Sequence, residues 1–481
     1  MSAVSLFCLV SAYFAVLLIV AWRTSRNANN DSFFIGNKRS NWLLVAFGMV
    51  GTTLSGVTFI SVPGAVGRDG FGYLQVILGY VLGYIAVTFI LLPLYYRLKL
   101  TSIYTYLEQR LGQRAYQSGA AFFIISRLLS ASARLYLVVN ILQLTILDSM
   151  GVPFWLTTTV ILAMILLYTY EGGVKTIVWT DTLQTTGMVL GLVICAGWLL
   201  HAMHLGPLDS FAQMQAHGLT RVITTSVDSP ANFWKQLLAG FFIVLAMTGM
   251  DQETMQKNIS VQTLRDSQKN MLLTTAVLTG VLVLFMYLGG LLYLYAPTAG
   301  ITAAGDKLFP AVVMGHMPAA LQLIFFIGLI SALFPSADGA MTALTSSFSI
   351  DILGVQRRSD LTEAGRKRLR HRVHLAFCAI FLALVLVFKW VDNASMVGLV
   401  LKLTGYTYGP LLGLFAFGIL TRRAVCDRWV PVVALAGPLL CYVIDFNQQS
   451  LFGSYRIGLE LLILNGLLVF AGLLVISKKP L

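Results

Sequence analysis

Two aspartates stand in long apolar stretches of this 481-residue chain, where a carboxylate needs a specific partner to be stable. Asp181 lies in the run Ile177–Gln184, and Asp338 is followed by Thr342 and Thr345. The spacing i, i+4, i+7 puts Asp338 and both threonines on one face of a helix. A carboxylate with hydroxyls stacked above it is a ligand set for a hard cation such as Na⁺. The alternative is that each aspartate neutralises a buried arginine or lysine.

Two arginines in another apolar stretch, Arg127 and Arg134, are seven positions apart and also share a helix face. A guanidinium matches a carboxylate in bidentate fashion, so either arginine can hold a substrate carboxylate or pair with Asp181 or Asp338. With Lys402 included, the charges within spans are three positive and two negative, and an anionic solute would balance the surplus. Arg127 lies nearer the cytoplasmic end, where its side chain can reach the membrane surface. Arg134 is therefore the better candidate for a solute.

The composition requires a membrane. Hydrophobic residues make up 57% of the chain and charged residues 11%, and the mean hydropathy is +0.79. Soluble domains carry about 25% charged residues, so a soluble enzyme, a nucleic-acid-binding protein and a disordered chain are excluded. The formal net charge of +13 then indicates basic cytoplasmic loops.

Thirteen apolar runs reach or approach the roughly 20 residues that a bilayer-spanning helix needs. They are Val4–Ala21, Asn41–Gly64, Phe71–Tyr95, Ala120–Leu147, Val152–Tyr170, Thr176–Leu200, Phe233–Met250, Met271–Tyr295, Ala319–Phe348, Ala376–Val391, Met396–Leu420, Val430–Ile444 and Ile457–Ile476. Most of the 33 lysines and arginines fall in alternate loops, which places the N-terminus outside and the C-terminus in the cytoplasm. We predict an all-α polytopic membrane protein of thirteen transmembrane helices, located in the plasma membrane (the inner membrane of a bacterium).

Spans two to six (Asn41–Leu200) and seven to eleven (Phe233–Leu420) form two sets of five. Because five is odd, consecutive sets have opposite orientations, which is the topology of an inverted repeat. The first helix of each set contains a run that favours a break, Gly48–Gly56 in one and Met247–Gln252 in the other. A broken helix leaves carbonyls for a cation and amides for a solute. The alternative is that the small residues only allow close helix packing.

These sets divide the chain into five segments. They are residues 1–40 (an extra helix and cytoplasmic loop), 41–203 (first repeat), 204–231 (extracellular loop), 232–423 (second repeat) and 424–481 (peripheral helices).

Three stretches resemble the sodium/solute symporter family, whose members carry sugars, proline, sialic acid and vitamins. They are Gly172–Asp181 (GGVKTIVWTD), Ser336–Asp351 and Gly405–Phe415 (GYTYGPLLGLF). The resemblance runs from about residue 31 to residue 423. It implies a LeuT-type core of five-plus-five inverted repeats, here spans two to eleven, and uptake driven by Na⁺ as the coupling ion, with no other cofactor.

Carried over residue by residue, the resemblance also implies binding sites. The principal sodium site would use the carbonyls of Gly51, Leu54 and Ala332 and the hydroxyl of Ser336. Where the family usually has a second hydroxyl, this chain has Pro335, which frees a carbonyl one turn back. Asp181 matches the acidic residue of a second sodium site found in some members, and Asp338 falls where that site has a small or hydroxyl residue.

The implied solute cavity is lined by the broken helices and the span between them. Its residues in this chain are Thr53, Ser55, Thr58, Gln75, Arg134, Gln252 and Tyr406. The sugar-carrying relatives have acid and amide groups where this chain has Val57 and Thr58, which weakens a hexose interpretation.

The predicted function is a Na⁺-coupled secondary transporter that imports a small organic solute by alternating access, with a carboxylate-bearing solute favoured over a sugar or polyol. An ion channel would need a continuous polar pore, and an integral membrane enzyme would need a catalytic motif, which we do not find in the sequence. The expected partners are Na⁺, the solute and the lipid bilayer, without nucleic acid, and the expected functional unit is a monomer.

Overall fold

The computed structural model describes residues 3–24, 33–34, 38–391 and 396–478, so parts of the predicted N-terminal segment, second repeat and C-terminal segment lie outside the described residues. Its helices are α1 (Ala3–Thr24), α2 (Trp42–Thr53), α3 (Gly56–Asp69), α4 (Tyr73–Arg97), α5 (Thr105–Leu111), α6 (Gln113–Leu142), α7 (Phe154–Ala202), α8 (Pro207–Ala216), α9 (Phe233–Gly249), α10 (Gln252–Ile259), α11 (Leu264–Thr298), α12 (Leu308–His316), α13 (Ala319–Ile352), α14 (Glu363–Val391), α15 (Met396–Thr407), α16 (Gly409–Leu420), α17 (Val430–Phe446), α18 (Gln448–Phe452) and α19 (Leu461–Val475). Two short strands, β1 (Ala424–Val425) and β2 (Ser477–Lys478), pair antiparallel.

Length and composition qualify many of these helices to cross a membrane. Among the described residues, 7 helices are long and apolar enough, and 3 bent pairs pass the same test together. Shorter apolar helices lie at Ser11–Thr24, Phe154–Tyr170 and Leu461–Val475. The polytopic helical architecture is therefore confirmed, while the count of thirteen and the two inverted repeats stay predictions.

The fifth and sixth predicted spans, Val152–Tyr170 and Thr176–Leu200, are joined without the expected loop. Both belong to α7, whose backbone is helical from Phe154 to Ala202. Tyr168 nevertheless lies beside Gln184, although these residues would be about 24 Å apart in a straight helix at 1.5 Å per residue. The two arms of α7 therefore fold back beside each other, as two spans of opposite direction would.

Helix breaks occur in both runs where they were predicted. The pair α2 and α3 is bent by 54° and the pair α9 and α10 by 62°. The first break is at Leu54 and Ser55, which are both extended, and the second is at Met250 and Asp251, between Gly249 and Gln252. A third bend of 45° separates α15 from α16 at Tyr408; sequence analysis did not identify it as a break.

The third bend is held by the peripheral helix α19. The Asn465 side-chain amide donates hydrogen bonds to the carbonyls of Gly405 (3.0 Å) and Tyr406 (2.8 Å). A Cβ at Gly409 would lie within 2.2 Å of the Asn465 side chain. Gly409 thus lets the Asn465 amide reach the carbonyls at the bend. These backbone groups need a hydrogen-bond donor from the protein, because lipid cannot supply one.

Close packing of α4 against α9 depends on two glycines. A Cβ at Gly79 would meet the Leu237 carbonyl at 2.2 Å, and a Cβ at Gly240 would meet the Val76 carbonyl at 2.3 Å. Small residues at such crossings let two backbones approach each other, which is a main source of helix association in membranes.

We expect Gly240→Ala to destabilise the protein by about 1–3 kcal/mol, because its methyl group would overlap backbone that cannot move aside. Gly280→Ala is the matched control, since Gly280 is exposed on a helix and has no neighbour within 4 Å of its Cβ position. Thermal unfolding of the purified variants measures the difference. Equal unfolding temperatures for the two variants would contradict this account of the packing.

Candidate functional site

The break between α2 and α3 opens onto a cavity of about 110 Å³, here called the central cavity. Four of the residues predicted to contact solute line it: Thr53, Ser55, Thr58 and Arg134. The remaining walls carry the hydroxyls of Tyr73, Tyr80, Tyr84, Thr248 and Thr254 and apolar side chains such as those of Met247, Leu278 and Leu401. A compact apolar pocket with a few convergent polar groups is typical of a site for a small solute.

Two cations, Arg127 and Arg134, line this cavity, and the side chain of Arg134 is the one that is partly exposed. Within the described part of the chain, no hydrogen bond or ion pair satisfies its guanidinium. The two carboxylates that were alternatives for pairing have other partners: Asp181 accepts from Lys257, and Asp338 accepts from Tyr168. Arg134 therefore forms neither of the alternative internal pairs, and its guanidinium N–H groups are left without a carboxylate partner among the described residues.

Gln75, predicted to contact solute, lies outside the central cavity. Its amide nitrogen donates to the carbonyls of Gly72 (3.1 Å) and Ala231 (3.2 Å), and its amide oxygen accepts from the backbone N–H of Thr224 (3.4 Å). It lines a second cavity of about 780 Å³, here called the outer cavity, whose walls also include Arg68 and Arg221. In this structure Gln75 ties the loop after α8 to α4.

Gln252 and Tyr406 are likewise placed away from the central cavity. Gln252 accepts a hydrogen bond from the N–H of Ile103 (2.9 Å) and donates to the carbonyl of Thr101 (3.0 Å). The Tyr406 hydroxyl donates to Asp445 at 2.5 Å. Both side chains fix neighbouring segments to each other, so the structure does not bring them together with the cavity-lining residues.

A buried ion network forms the floor of the central cavity. Arg127, which lines the cavity and is 3% exposed, donates to Glu253, and a second nitrogen lies 4.0 Å from Asp251. Asp251 also caps α10 by accepting from the N–H of Thr254 (3.1 Å) and accepts from the Tyr408 hydroxyl (2.7 Å). The expectation that Arg127 reaches the membrane surface is therefore wrong. Arg127 links α6 to Asp251, at the break between α9 and α10, and to Glu253 on α10.

A buried cation that sequence analysis did not identify is Lys257, which follows the predicted span Phe233–Met250 and is therefore expected in a loop. Its side chain is only 2% exposed. The ammonium lies 2.7 Å from Asp181 Oδ2, 2.5 Å from the Thr52 hydroxyl and 3.7 Å from Glu253 Oε1. The i, i+4 spacing of Glu253 and Lys257 directly after a predicted break was the signal that could have found a buried pair.

The charge balance changes accordingly. Lys402 is not part of the interior, because its side chain is 58% exposed and pairs with Asp445 at 2.8 Å. The charged side chains around the breaks are the cations Arg127, Arg134 and Lys257 and the acids Asp181, Asp251, Glu253 and Asp338. The predicted positive surplus is wrong, so any case for an anionic solute has to rest on Arg134 itself.

The predicted principal sodium site lies where α2 packs against α13. The last helical hydrogen bond of α2 runs from the N–H of Leu54 to the carbonyl of Val50 (2.8 Å). The following carbonyls, including those of Gly51 and Leu54, receive no side-chain hydrogen bond from the residues that the structure describes. Ala332 and Ser336 are buried on α13. The break thus leaves carbonyl oxygens beside a buried hydroxyl-bearing helix.

The break in α9 differs from the break in α2 because tyrosines fill it. The hydroxyl of Tyr95 donates to the carbonyl of Gly249 (2.7 Å), and that of Tyr104 donates to the carbonyl of Met250 (3.0 Å). Carbonyls already bound by protein donors are poorer cation ligands. At the α2 break, by contrast, the nearby threonines Thr52 and Thr53 donate one turn back, to Gly48 and Met49, and no described side chain donates to the carbonyls of Gly51 and Leu54.

Asp338 and its predicted hydroxyl partners occupy a buried face of α13. One Asp338 oxygen accepts from the Tyr168 hydroxyl (2.7 Å), and the other accepts from the N–H of Gly339 (2.5 Å). The Thr345 hydroxyl contacts His374 at 2.8 Å, whereas the Thr342 hydroxyl has no hydrogen-bond partner within the described ranges. The carboxylate is thus held in place by two donors and lacks an ion pair within 4 Å in that part of the chain.

The amino-acid sequence is similar to those of known transport proteins. Residues 33–427 match the model of the sodium:solute symporter family. The chain is 24% identical over 474 residues to the sodium/sialic acid symporter SiaT of Proteus mirabilis, covering 92% of this chain and 91% of that protein. It is 25% identical over 433 residues to the sodium-coupled monocarboxylate transporter 2 of Bos taurus, covering 85% of this chain and 67% of that one.

Solved structures show the same fold. A substrate-bound, outward-open Na⁺-coupled sialic acid symporter superposes with a TM-score of 0.84 at 18% identity, covering 99% of both chains. The nucleobase-cation-symport-1 family transporter Mhp1, in a closed conformation, superposes with a TM-score of 0.59 at 12% identity, covering 92% of this chain and 93% of that chain.

We expect Arg127→Gln to destabilise the protein by about 3–5 kcal/mol, because it leaves Glu253 buried without its partner. The double variant Arg127→Gln/Glu253→Gln removes both charges and should recover most of that loss. Thermal unfolding of the purified proteins gives the comparison. A double variant as unstable as the single one would show that the ion pair is not what holds this region together.

Proposed function

Because the chain belongs to the sodium:solute symporter family, we propose that it imports a small organic solute bearing a carboxylate together with Na⁺, by alternating access. Membership makes the chain a Na⁺-coupled transporter and sets aside the channel and the enzyme that composition alone left open. The carboxylate is the finer part of the proposal, and a sugar or polyol is its main competitor.

The single observation that carries the carboxylate is Arg134. It lies in the central cavity without a counter-ion among the described residues, while the neighbouring Arg127 has one. A guanidinium in a low-dielectric cavity gains most from a ligand that accepts two parallel hydrogen bonds, which a carboxylate does and a sugar hydroxyl does not. Relatives named for sialic acid and for monocarboxylates support the same class of solute.

We place the coupling ion at the α2 break, with ligands from Gly51, Leu54, Ala332 and Ser336. Pro335 supports this position because it lacks an N–H, so that the carbonyl of Ser331, four residues earlier, loses its helical donor. Inward movement of one Na⁺ releases about 2.3 kcal/mol per 100 mV of membrane potential, before any concentration gradient is counted.

The path of the solute runs from the outer cavity to the central cavity. Val62, Tyr73 and Leu401 line both cavities and separate them, whereas the Arg127 network closes the opposite end. Alternating access would exchange these two barriers as the broken helices move. We propose a plasma-membrane location (a bacterial inner membrane) with the N-terminus outside and the C-terminus in the cytoplasm, and a monomer as the functional unit.

Arg134→Lys tests the solute class. If the guanidinium holds a carboxylate in bidentate fashion, the affinity for the best ligand should fall at least about tenfold, or about 1.4 kcal/mol, at unchanged stability. A thermal-shift screen in Na⁺ of sialic acid, monocarboxylates, amino acids and uncharged sugars identifies that ligand, and a titration gives its affinity in both proteins.

Arg127→Lys is the matched control, because it makes the same change seven residues earlier on the same face of α6, at an arginine that pairs with Glu253. It should lower stability more than Arg134→Lys does. If the best ligand is an uncharged sugar or polyol, the carboxylate proposal fails whatever the variants do.

Asp338→Asn tests the contribution of charge on α13 to Na⁺ binding. The amide keeps the shape but removes the negative charge, so the Na⁺ concentration for half-maximal thermal stabilisation should rise several-fold. Asp445→Asn, at a peripheral carboxylate paired with Lys402, should leave that concentration unchanged. Unaltered Na⁺ dependence in a normally expressed Asp338→Asn protein would make Asp338 a structural partner of Tyr168.

A further inference from the structure

We infer that the ammonium of Lys257 fills the cation position at Asp181, so that this chain binds Na⁺ at the α2 break and not at Asp181. The inference rests on the proposed Na⁺ coupling and specifies how many ions take part. It replaces the expectation that Asp181 belongs to a second sodium site.

The contacts of Lys257 are those that a bound cation would make. Its ammonium is surrounded by Asp181 Oδ2 at 2.7 Å, the Thr52 hydroxyl at 2.5 Å and Glu253 Oε1 at 3.7 Å. The Thr52 hydroxyl also donates to the carbonyl of Gly48 at 3.1 Å, so its lone pairs face the ammonium. A lysine ammonium carries one charge and three donors; here it donates to Asp181 and Thr52, and Glu253 Oε1 adds an ion-pair contact without a hydrogen bond.

The fold holds Lys257 in this place. A Cβ at Gly339 would lie 2.2 Å from Glu253 Oε1 and 3.2 Å from the Lys257 ammonium. The glycine on α13 therefore leaves room for the side chains of Glu253 and Lys257. Glu253 is in turn held by Arg127 from α6. The ammonium is therefore packed between three helices and is not a long side chain that happens to reach a carboxylate.

A second cation at Asp181 would have to share this space with the ammonium. Asp181, Thr52 and Lys257 are all buried, and like charges a few ångströms apart repel strongly where water does not screen them. Binding of Na⁺ at Asp181 Oδ2 would then require the ammonium to give up that carboxylate and to keep Glu253, 3.7 Å away, as its ion-pair partner among the described residues, which is costly for a buried charge. Removing the ammonium by mutation removes that obstacle and leaves the carboxylate.

Equilibrium dialysis with ²²Na⁺ on the purified full-length protein counts the bound ions directly, with Na⁺ alone as the ligand. We expect one saturable Na⁺ per chain in the wild type and two in Lys257→Met, whose side chain has similar length and no charge. The double variant Asp181→Asn/Lys257→Met should return to one. It also removes both members of the buried pair, so it leaves no unpaired charge to unfold the protein.

Lys402→Met is the matched control, because it removes a lysine from another Lys–Asp pair outside the interior; it should bind one Na⁺. Two ions in the wild type would overturn the inference, as would a single ion in a folded Lys257→Met protein. If Lys257→Met does not fold, the wild type and the double variant decide. One bound Na⁺ in each of them supports the inference, whereas two in the wild type and one in the double variant overturn it. No bound Na⁺ in the wild type would instead overturn the proposed Na⁺ coupling, and this inference with it.

Discussion

The constraint on which this structure depends is that polar groups inside a membrane must be satisfied by the protein itself. Every break in a helix frees backbone groups, and a buried charge needs a counter-charge or hydrogen-bond donors. At the break in α9, Tyr95 and Tyr104 donate to the carbonyls of Gly249 and Met250. The bend after α15 meets it with Asn465. The break in α2 has no such donors among the described residues, and this difference is why we place the ion there.

The same constraint separates two arginines that the sequence makes look alike. Arg127 and Arg134 share a helix face, but only Arg127 has a carboxylate partner within the part of the chain that the structure describes. Arg127 joins α6 to α10 and thereby closes one end of the central cavity, whereas Arg134 offers its guanidinium to whatever enters that cavity. We propose that one residue type serves structure at one position and recognition of the solute seven residues later.

Much of the fold could be predicted from the sequence, because hydropathy and glycine content report the dominant free energies directly. The apolar runs correspond to helices, and both predicted breaks occur within their runs at Leu54–Ser55 and Met250–Asp251. Of the predicted solute contacts, Thr53, Ser55, Thr58 and Arg134 line the central cavity. These four lie next to a break or on the helix that faces it, where local sequence is a good guide.

The rest depends on contacts between distant segments, which spacing does not report. Lys257 follows a break on a helix of only 8 residues, so it resembles a loop lysine until α7 and α13 are packed against it. Gln75 on α4 and Gln252 at the start of α10 are polar residues of predicted spans and breaks, but their amides bind loop backbone instead of facing the central cavity. The sequence predicts two spans separated between Tyr170 and Thr176, whereas the backbone of α7 is helical from Phe154 to Ala202.

The central claim is that a carboxylate solute and Na⁺ move together, and ²²Na⁺ flux into proteoliposomes tests it most directly. With the purified protein reconstituted, the account predicts saturable Na⁺ entry that depends on an added carboxylate solute, in a fixed ratio of ions to solute. An inward Na⁺ gradient should in turn drive accumulation of that solute. Na⁺ entry that is the same with and without carboxylate solutes, or uptake of the solute that is the same in K⁺ as in Na⁺, would contradict the account.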